Sequence, residues 1–139
     1  MGGTNQRTKI IAVLDDLFFT SKIKEAVKSL DLNLEFIKNT NGLIPKLKSE
    51  KPSLIIFDLN SKACNPLESI KEIKSLPDLN NIPILGYLSH IQTDLKDEAV
   101  KAGCDLVLPR SKFSKDLKEI LTKYLTQKGQ YSTLEGCKQ

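Results

Sequence analysis

The sequence of 139 residues has little cysteine and histidine. It holds one histidine and three cysteines, and the cysteines form no CxxC pair. An odd number of cysteines without paired spacing argues against a disulfide framework and against a zinc site. Such cysteine usage is typical of a reducing compartment, so we expect a cytoplasmic protein.

Long apolar runs are also missing. No run approaches the roughly 18 residues that a transmembrane helix needs. The N-terminal stretch MGGTNQRTK (1–9) lacks the apolar segment of a secretory signal peptide. The sequence therefore predicts neither a membrane span nor a secreted protein.

Basic residues are in slight excess but are not clustered. Lys and Arg number 21 against 17 Asp and Glu, which gives a formal charge of +4. The lysines are scattered as on solvated helix faces, and no arginine cluster or basic stripe with interleaved aromatics occurs. We therefore expect no nucleic-acid partner.

What the chain does contain is a regular alternation of two patterns. Short apolar runs predict five strands, at 9–14, 32–37, 53–59, 82–88 and 104–109. Segments with apolar residues at helical spacing predict five helices, which begin near Thr20, Thr40, Pro66, Thr93 and Ser114. Strict alternation of this kind predicts an α/β domain with a parallel sheet that helices cover on both faces. We place the domain at 8–126 and expect a mobile tail at 127–139.

Several local features of the predicted helices and strands can be checked against the structure. Asn65 and Thr93 are the expected N-caps of the third and fourth helices. Gly103 is the expected C-cap of the fourth helix. On the fourth helix we expect four apolar side chains to face inward, namely Leu95, Ala99, Val100 and Ala102. Gly86 weakens the fourth strand.

Ligands of such sheets bind beyond the carboxyl ends of the strands, so the residues that follow each run are the candidates. Asp15 and Asp16 follow the first run, and Asp58 ends the third. These carboxylates would repel one another unless a cation joined them, and Mg²⁺ prefers oxygen ligands. The alternative is that Asp15 and Asp16 merely cap the first helix and that Asp58 lies in a turn.

Four stretches contain predicted strands and the residues that follow them, namely IIAVLDDL, KPSLIIFDLN, NIPILGYLSH and AVKAGCDLVLPRS. Together they resemble a CheY-like receiver domain of two-component signalling, and the resemblance covers residues 8 to 125. The resemblance implies a flavodoxin-like (βα)5 fold, doubly wound, with strand order 2-1-3-4-5. It also implies a phosphoacceptor at Asp58 and weakly bound Mg²⁺ at Asp15, Asp16 and the backbone carbonyl of Asn60. Asn60 and His90 would tune dephosphorylation.

The chain departs from the receiver pattern at the positions that read the phosphoryl group. Receivers carry Ser or Thr at the end of the fourth strand, where this chain has Leu88. Ser89 comes one residue later and would point elsewhere unless a bulge near Gly86 shifted it. Receivers carry Lys at the end of the fifth strand, where we place Pro109, followed by Arg110.

Two further features weaken the expected switch. The family's switch aromatic on the fifth strand is missing, while Tyr87 lies within the fourth. A guanidinium such as that of Arg110 does not replace an ammonium by default. We therefore expect an atypical receiver in which phosphorylation couples weakly to conformation.

The resemblance implies a signalling module rather than an enzyme, apart from Mg²⁺-dependent phosphorylation and dephosphorylation of Asp58. Its partner would be a sensor histidine kinase or another signalling protein, contacted through 93–125, and the chain would be a monomer or a weak dimer. One alternative is a pseudo-receiver that phosphate does not switch. A flavodoxin-like cofactor binder is a remote alternative, because the acids of DDLFF (15–19) would repel a phosphate.

Overall fold

A computed structural model describes residues 8–62, 64–89 and 92–126. His90 and the tail 127–139 lie outside these residues, and so does the side chain of Leu125. Over the described part of the chain, no helix has the length and apolar character needed to cross a bilayer.

Five strands and five helices alternate along the chain, as the periodicity predicts. The strands are β1 (Thr8–Val13), β2 (Leu32–Ile37), β3 (Leu54–Asp58), β4 (Ile84–Leu88) and β5 (Leu106–Pro109). The helices are α1 (Leu17–Val27), α2 (Leu43–Glu50), α3 (Pro66–Ser75), α4 (Thr93–Ala102) and α5 (Arg110–Thr126).

The strands form one parallel sheet in the order β2-β1-β3-β4-β5, which confirms the expected fold class and strand order. The middle strand is β3, and all five of its residues are buried. A strand with both faces covered has no polar side to present, so it reads as a continuous apolar run. The acid at the end of that run is therefore largely shielded from solvent.

Side-chain alternation divides the core into two layers. Ile55 and Phe57 face α2, α3 and α4, while Leu54 and Ile56 face α1 and α5. Because side chains alternate along a strand, Asp58 belongs on the face that α1 and α5 cover. Tyr87, its partner in the parallel register, packs in that same layer.

The helix boundaries differ from the predicted ones most at α5, which begins at Arg110 instead of Ser114. The earlier start brings Phe113 into line with Leu117 and Leu121, four and eight residues later. All three are buried against the sheet. The prediction missed this turn because it began the apolar stripe at Leu117.

Two predictions for α4 were wrong. Its N-cap is Gln92, and Thr93 is the first helical residue. Val100 is 53% exposed, whereas Ala99 and Ala102 are buried. Val100 follows Ala99 by one residue, which turns it about 100° around the helix and away from the sheet.

The expected C-cap of α4 is confirmed at Gly103, which has a φ of 118°. The N-cap of α3 is Asn65, as expected, but its side chain makes no capping hydrogen bond.

Strand β4 runs without a bulge past Gly86, which pairs in regular register with Phe57 and Val107. A Cβ atom on Gly86 would lie 2.8 Å from Leu59 Cδ1 and 3.1 Å from Cys104 Sγ. The glycine therefore lets the core pack closely against the strand, instead of marking an irregularity in it.

We predict that Gly86→Ala lowers the free energy of unfolding by about 1–3 kcal/mol through overpacking against Leu59. Urea unfolding of Gly86→Ala, Leu59→Ala and the double variant checks this. The double variant should lose less than the sum of the two single changes, because it removes the clash. Additive losses would contradict the proposed contact.

Four charged side chains form a closed network where β1, β2 and α2 meet. Lys9 Nζ lies 2.9 Å from Glu35 and 2.7 Å from Glu50, and Lys46 Nζ lies 2.7 Å and 3.0 Å from the same two carboxylates. Hydrogen bonds from Lys46 and Lys9 lower the pKa of Glu35 below its usual 4.5.

A glutamate with a lowered pKa in the fold stabilises the protein above its unfolded pKa, and this contribution is lost as the pH falls through the folded value. We therefore predict that Glu35→Gln costs up to about 1 kcal/mol at pH 7, since the network is partly exposed. The cost should be smaller at pH 3 than at pH 7. Urea unfolding at both pH values checks this, with the exposed Glu98→Gln as control. An equal cost at both pH values would contradict it.

Candidate functional site

The candidate site lies at the carboxyl end of β3, where Asp58 is only 4% exposed. Its backbone is held in the sheet by β4, and Leu59 N donates to Tyr87 O at 2.9 Å. Asp58 Oδ1 accepts a hydrogen bond from Asn60 N at 2.9 Å. One carboxylate oxygen is therefore fixed by the backbone of the following turn.

Asp15 and Asp16 follow β1 and form the turn into α1. Asp15 is exposed, and Asp16 is half-buried. Asp16 is the N-cap of α1, and its side chain accepts from Phe19 N at 3.2 Å. The capping interpretation is therefore correct for Asp16. Asp58, in contrast, is the last residue of a strand and does not lie in a turn.

The electrostatics of Asp58 reflect its burial and its charged neighbours. Loss of water raises the pKa of Asp58 above its usual 3.8, while the Asn60 hydrogen bond and the Arg110 charge oppose this. The charges of Asp16 and Asp15 raise the pKa of Asp58 further. The three acids therefore act on one another, as their positions at neighbouring strand ends predict.

Arg110 brings a positive charge to the same site. It is the first residue of α5, and its guanidinium carbon lies 5.4 Å from the centre of the Phe19 ring and 5.9 Å from that of Tyr87. Its Nε is buried without a hydrogen-bond partner. Although we aligned Pro109 with the family's lysine, the charge that acts on Asp58 comes from Arg110.

Three aromatic rings form a cluster, and the guanidinium lies over two of them, Phe19 and Tyr87. Phe19, Tyr87 and Phe113 come from α1, β4 and α5, and their ring centres lie 4.6 to 5.7 Å apart. The hydroxyl of Tyr87 is buried without a hydrogen-bond partner. Arg110 and Tyr87 therefore each have a hydrogen-bond donor beside Asp58 that is not in use. A buried polar group without a partner typically costs about 1–3 kcal/mol.

Asn60 links the loop after β3 to the loop after β4. Its Oδ1 accepts from Ser89 N at 2.9 Å and from Ser89 Oγ at 3.4 Å, and its Nδ2 donates to Gln92 Oε1 at 2.6 Å. The Ser89 hydroxyl thus contacts Asn60. This agrees with the expectation that Ser89 points away from the switch position when β4 has no bulge.

Leu88 occupies the last position of β4 and is 3% exposed. It packs in the layer that faces α2, α3 and α4, together with Leu59 and Val107. An aliphatic side chain in this layer offers no hydroxyl to an anion at Asp58. The hydroxyl that receivers carry at this position is therefore absent from the strand end itself.

The oxygen atoms of the acids are chemically suitable ligands for a hard divalent cation, because Mg²⁺ prefers carboxylate and carbonyl oxygens. Their mutual repulsion at Asp58 is what such a cation would relieve. Across residues 8–62, 64–89 and 92–126, however, no group of three or more His, Cys, Asp or Glu side chains is gathered as metal ligands. The donors are present, with Asp16 engaged as a helix cap.

Comparison with known proteins is informative at this point. No family model matches the chain. Over 94 residues, 66% of its length, the chain is 33% identical to a protein-glutamate methylesterase/protein-glutamine glutaminase of Clostridium acetobutylicum. The chain spans about a quarter of that relative, 26% of its length.

Solved structures give a consistent fold assignment. A response regulator from Hahella chejuensis superimposes with a TM-score of 0.78 at 21% identity, covering 86% of this chain and 96% of that one. The phosphorylated cyanobacterial phytochrome response regulator RcpA superimposes with a TM-score of 0.74 at 21% identity. The match covers 88% of this chain and 96% of RcpA. The Mn²⁺-bound response regulator Rcp1 superimposes with a TM-score of 0.67 at 22% identity. The match covers 81% of this chain and 91% of Rcp1. The chain therefore has the same fold as these response regulators.

Sequence reasoning found the acids and named Arg110 at a degenerate switch position, but it missed the aromatic neighbours of the acids. The structure brings Asp58, Asp15 and Asp16 into electrostatic reach, as predicted. It also brings in Arg110 and Tyr87, which we had assigned to a damaged switch and to the strand interior. The polarity of Tyr87 inside an apolar run was the one signal that could have indicated a site.

We predict that Asp58→Asn stabilises the protein at pH 7. Because the folded pKa of Asp58 is raised, its ionised form destabilises the fold at neutral pH, and this penalty disappears as the pH falls through the folded value toward 3.8. Urea unfolding against pH checks this, with the exposed Asp97→Asn as control. A less stable Asp58→Asn protein at pH 7 would contradict the assigned desolvation.

Proposed function

We propose that this chain is the receiver domain of a two-component response regulator and that Asp58 accepts a phosphoryl group. The observation that supports the proposal is the buried carboxylate of Asp58 at the end of the middle strand, with Asp15, Asp16 and Arg110 as its charged neighbours. A carboxylate that retains a net penalty for its charge is unusual unless it serves a function.

The proposed chemistry is a single phosphoryl transfer. With Oδ1 held by Asn60 N, Oδ2 of Asp58 is the oxygen free to attack phosphorus. The new bond joins Oδ2 to phosphorus, and the bond from phosphorus to the donor's nitrogen or oxygen breaks, so that the donor leaves with the bonding electrons. The product is an acyl phosphate, a covalent mark that water can remove.

We further propose that Mg²⁺ binds weakly at Asp15, Asp16 and the backbone carbonyl of Asn60. A bound divalent cation would neutralise charge on the phosphoryl group during transfer. The Mn²⁺-bound form of the similar regulator Rcp1 supports a divalent cation in this fold. Asp16 would have to share its carboxylate between the metal and the helix cap.

We propose that the domain acts in the cytoplasm by contact with a sensor histidine kinase or another signalling protein, as a monomer or weak dimer. The expected contact region, 93–125, comprises α4, β5 and most of α5. Val100 supports this region, because it exposes an apolar side chain on α4. We propose no enzymatic activity for this chain beyond the reactions of Asp58. Asn60 and His90 remain the proposed residues for tuning dephosphorylation.

A pseudo-receiver that phosphate does not switch is the second candidate. Leu88 favours it, because a buried aliphatic side chain stands where receivers carry a hydroxyl. The two candidates differ in whether Asp58 is modified, which a mass measurement decides.

We predict that acetyl phosphate with Mg²⁺ adds the mass of one phosphoryl group to the wild-type protein. Intact-mass spectrometry should show this addition in the wild type and in Asp97→Asn but not in Asp58→Asn, which lacks the nucleophilic oxygen. Removal of Mg²⁺ with a chelator should slow the addition. An unmodified wild-type protein, under conditions that modify a known receiver, would favour the pseudo-receiver.

A further inference from the structure

The strongest unexplained feature of the molecule is a pair of buried donors beside Asp58. Arg110 Nε and the Tyr87 hydroxyl are both buried, and neither has a hydrogen-bond partner. Tyr87 is fully buried, and it is the register partner of Asp58 in the neighbouring strand. Buried donors of this kind are normally satisfied, so the pair points to an acceptor that arrives only in another state of the protein.

A phosphoryl group on Asp58 would be such an acceptor. It carries close to two negative charges and three strong acceptor oxygens. A guanidinium offers donors in a planar fork that suits phosphate geometry. Within the described ranges, Arg110 forms no salt bridge with a carboxylate, so its charge is free to pair with the group.

The hydroxyl that receivers carry at the end of the fourth strand is not available in this chain to donate to the phosphoryl group. Leu88 has none, and the Ser89 hydroxyl bonds Asn60 at 3.4 Å. The donors that remain beside Asp58 lie on the face covered by α1 and α5, because Tyr87 packs there with Phe19 and Phe113.

We propose that Arg110 and Tyr87 read the phosphoryl group on Asp58 and transmit its presence to α1 and α5 through the Phe19–Tyr87–Phe113 ring cluster. The guanidinium now lies against Phe19 and Tyr87. Pairing with the phosphoryl group draws it away from those rings, which belong to α1 and β4. The response therefore centres on α1 and α5. This inference rests on Asp58 being the phosphoacceptor.

The route differs from the one expected from the receiver resemblance, and it replaces the expectation that phosphorylation has little to switch. Each ring of the cluster comes from a different element, so loss of the cation over two rings changes packing at three elements together. Core packing of this kind responds to small displacements because it has few voids in which to absorb them.

NMR spectroscopy of the full chain tests the proposal. Backbone amides and labelled Phe and Tyr rings are followed before and after acetyl phosphate with Mg²⁺, with intact mass to measure the modified fraction. In the wild type we expect shifts in the Phe19, Tyr87 and Phe113 rings and in the amides of 17–27 and 110–124. Arg110→Gln should still be modified at Asp58 but should lose these shifts.

Further variants keep the proposal falsifiable if Arg110→Gln folds poorly. Arg110→Lys keeps the charge but loses the planar fork, so it should retain only part of the ring shifts. Tyr87→Phe removes only the hydroxyl and should shorten the lifetime of the phosphorylated state. Lys115→Gln, an exposed cation on the same helix, should behave as the wild type.

Several outcomes would overturn the inference. Ring and amide shifts that survive in Arg110→Gln, with Asp58 modified, would leave Arg110 a structural residue and the proposed function intact. Shifts confined to 93–109 would place the response on α4 and β5 instead. A wild-type protein that is never modified would remove the proposed function and this inference together.

Discussion

Asp58 ends the middle strand of a sheet that helices cover on both faces, and the residue is consequently only 4% exposed. Nothing within the strand can relieve this position, because Leu54 to Phe57 are fully buried core residues. The acid must therefore be stabilised from the loops and helix starts around it. Four groups act on this one carboxylate: the Asn60 amide, the Arg110 guanidinium and the carboxylates of Asp15 and Asp16.

The surroundings of Asp58 stabilise its charge only in part. The Asn60 hydrogen bond and the Arg110 charge lower the pKa of Asp58, but desolvation has the larger effect, and Asp15 and Asp16 add to it. A site in this condition favours the arrival of positive charge at the acids. A cation at the acids is consistent with the proposed phosphoryl transfer to Asp58, and the chain shares its fold with response regulators.

Sequence patterns predicted the parallel sheet and the position of the acids, because both depend on local periodicity and on the geometry of parallel sheets. The strand order, in contrast, was predicted from the receiver resemblance. β2 was predicted with its observed bounds. The start of α5 was missed because the predicted apolar stripe began at Leu117, whereas the helix begins at Arg110, directly after Pro109.

The ring cluster lay beyond prediction for a different reason. Phe19, Tyr87 and Phe113 are far apart in sequence and come from three elements, so no local pattern links them. The role of Gly86 was hidden likewise, since its lack of a Cβ makes room for Leu59, which follows the neighbouring strand β3. Pairwise contacts of this kind depend on the packed core and not on periodicity.

The most direct test of the account is an NMR titration of the Asp58 carboxyl carbon, with and without Mg²⁺. We predict a pKa above the usual 3.8 in the metal-free protein, because desolvation outweighs Asn60 and Arg110. Saturating Mg²⁺ should lower that pKa, because the cation favours the ionised form. A metal-free pKa at or below 3.8, unchanged by Mg²⁺, would contradict both the desolvated acid and its role as a cation-assisted phosphoacceptor.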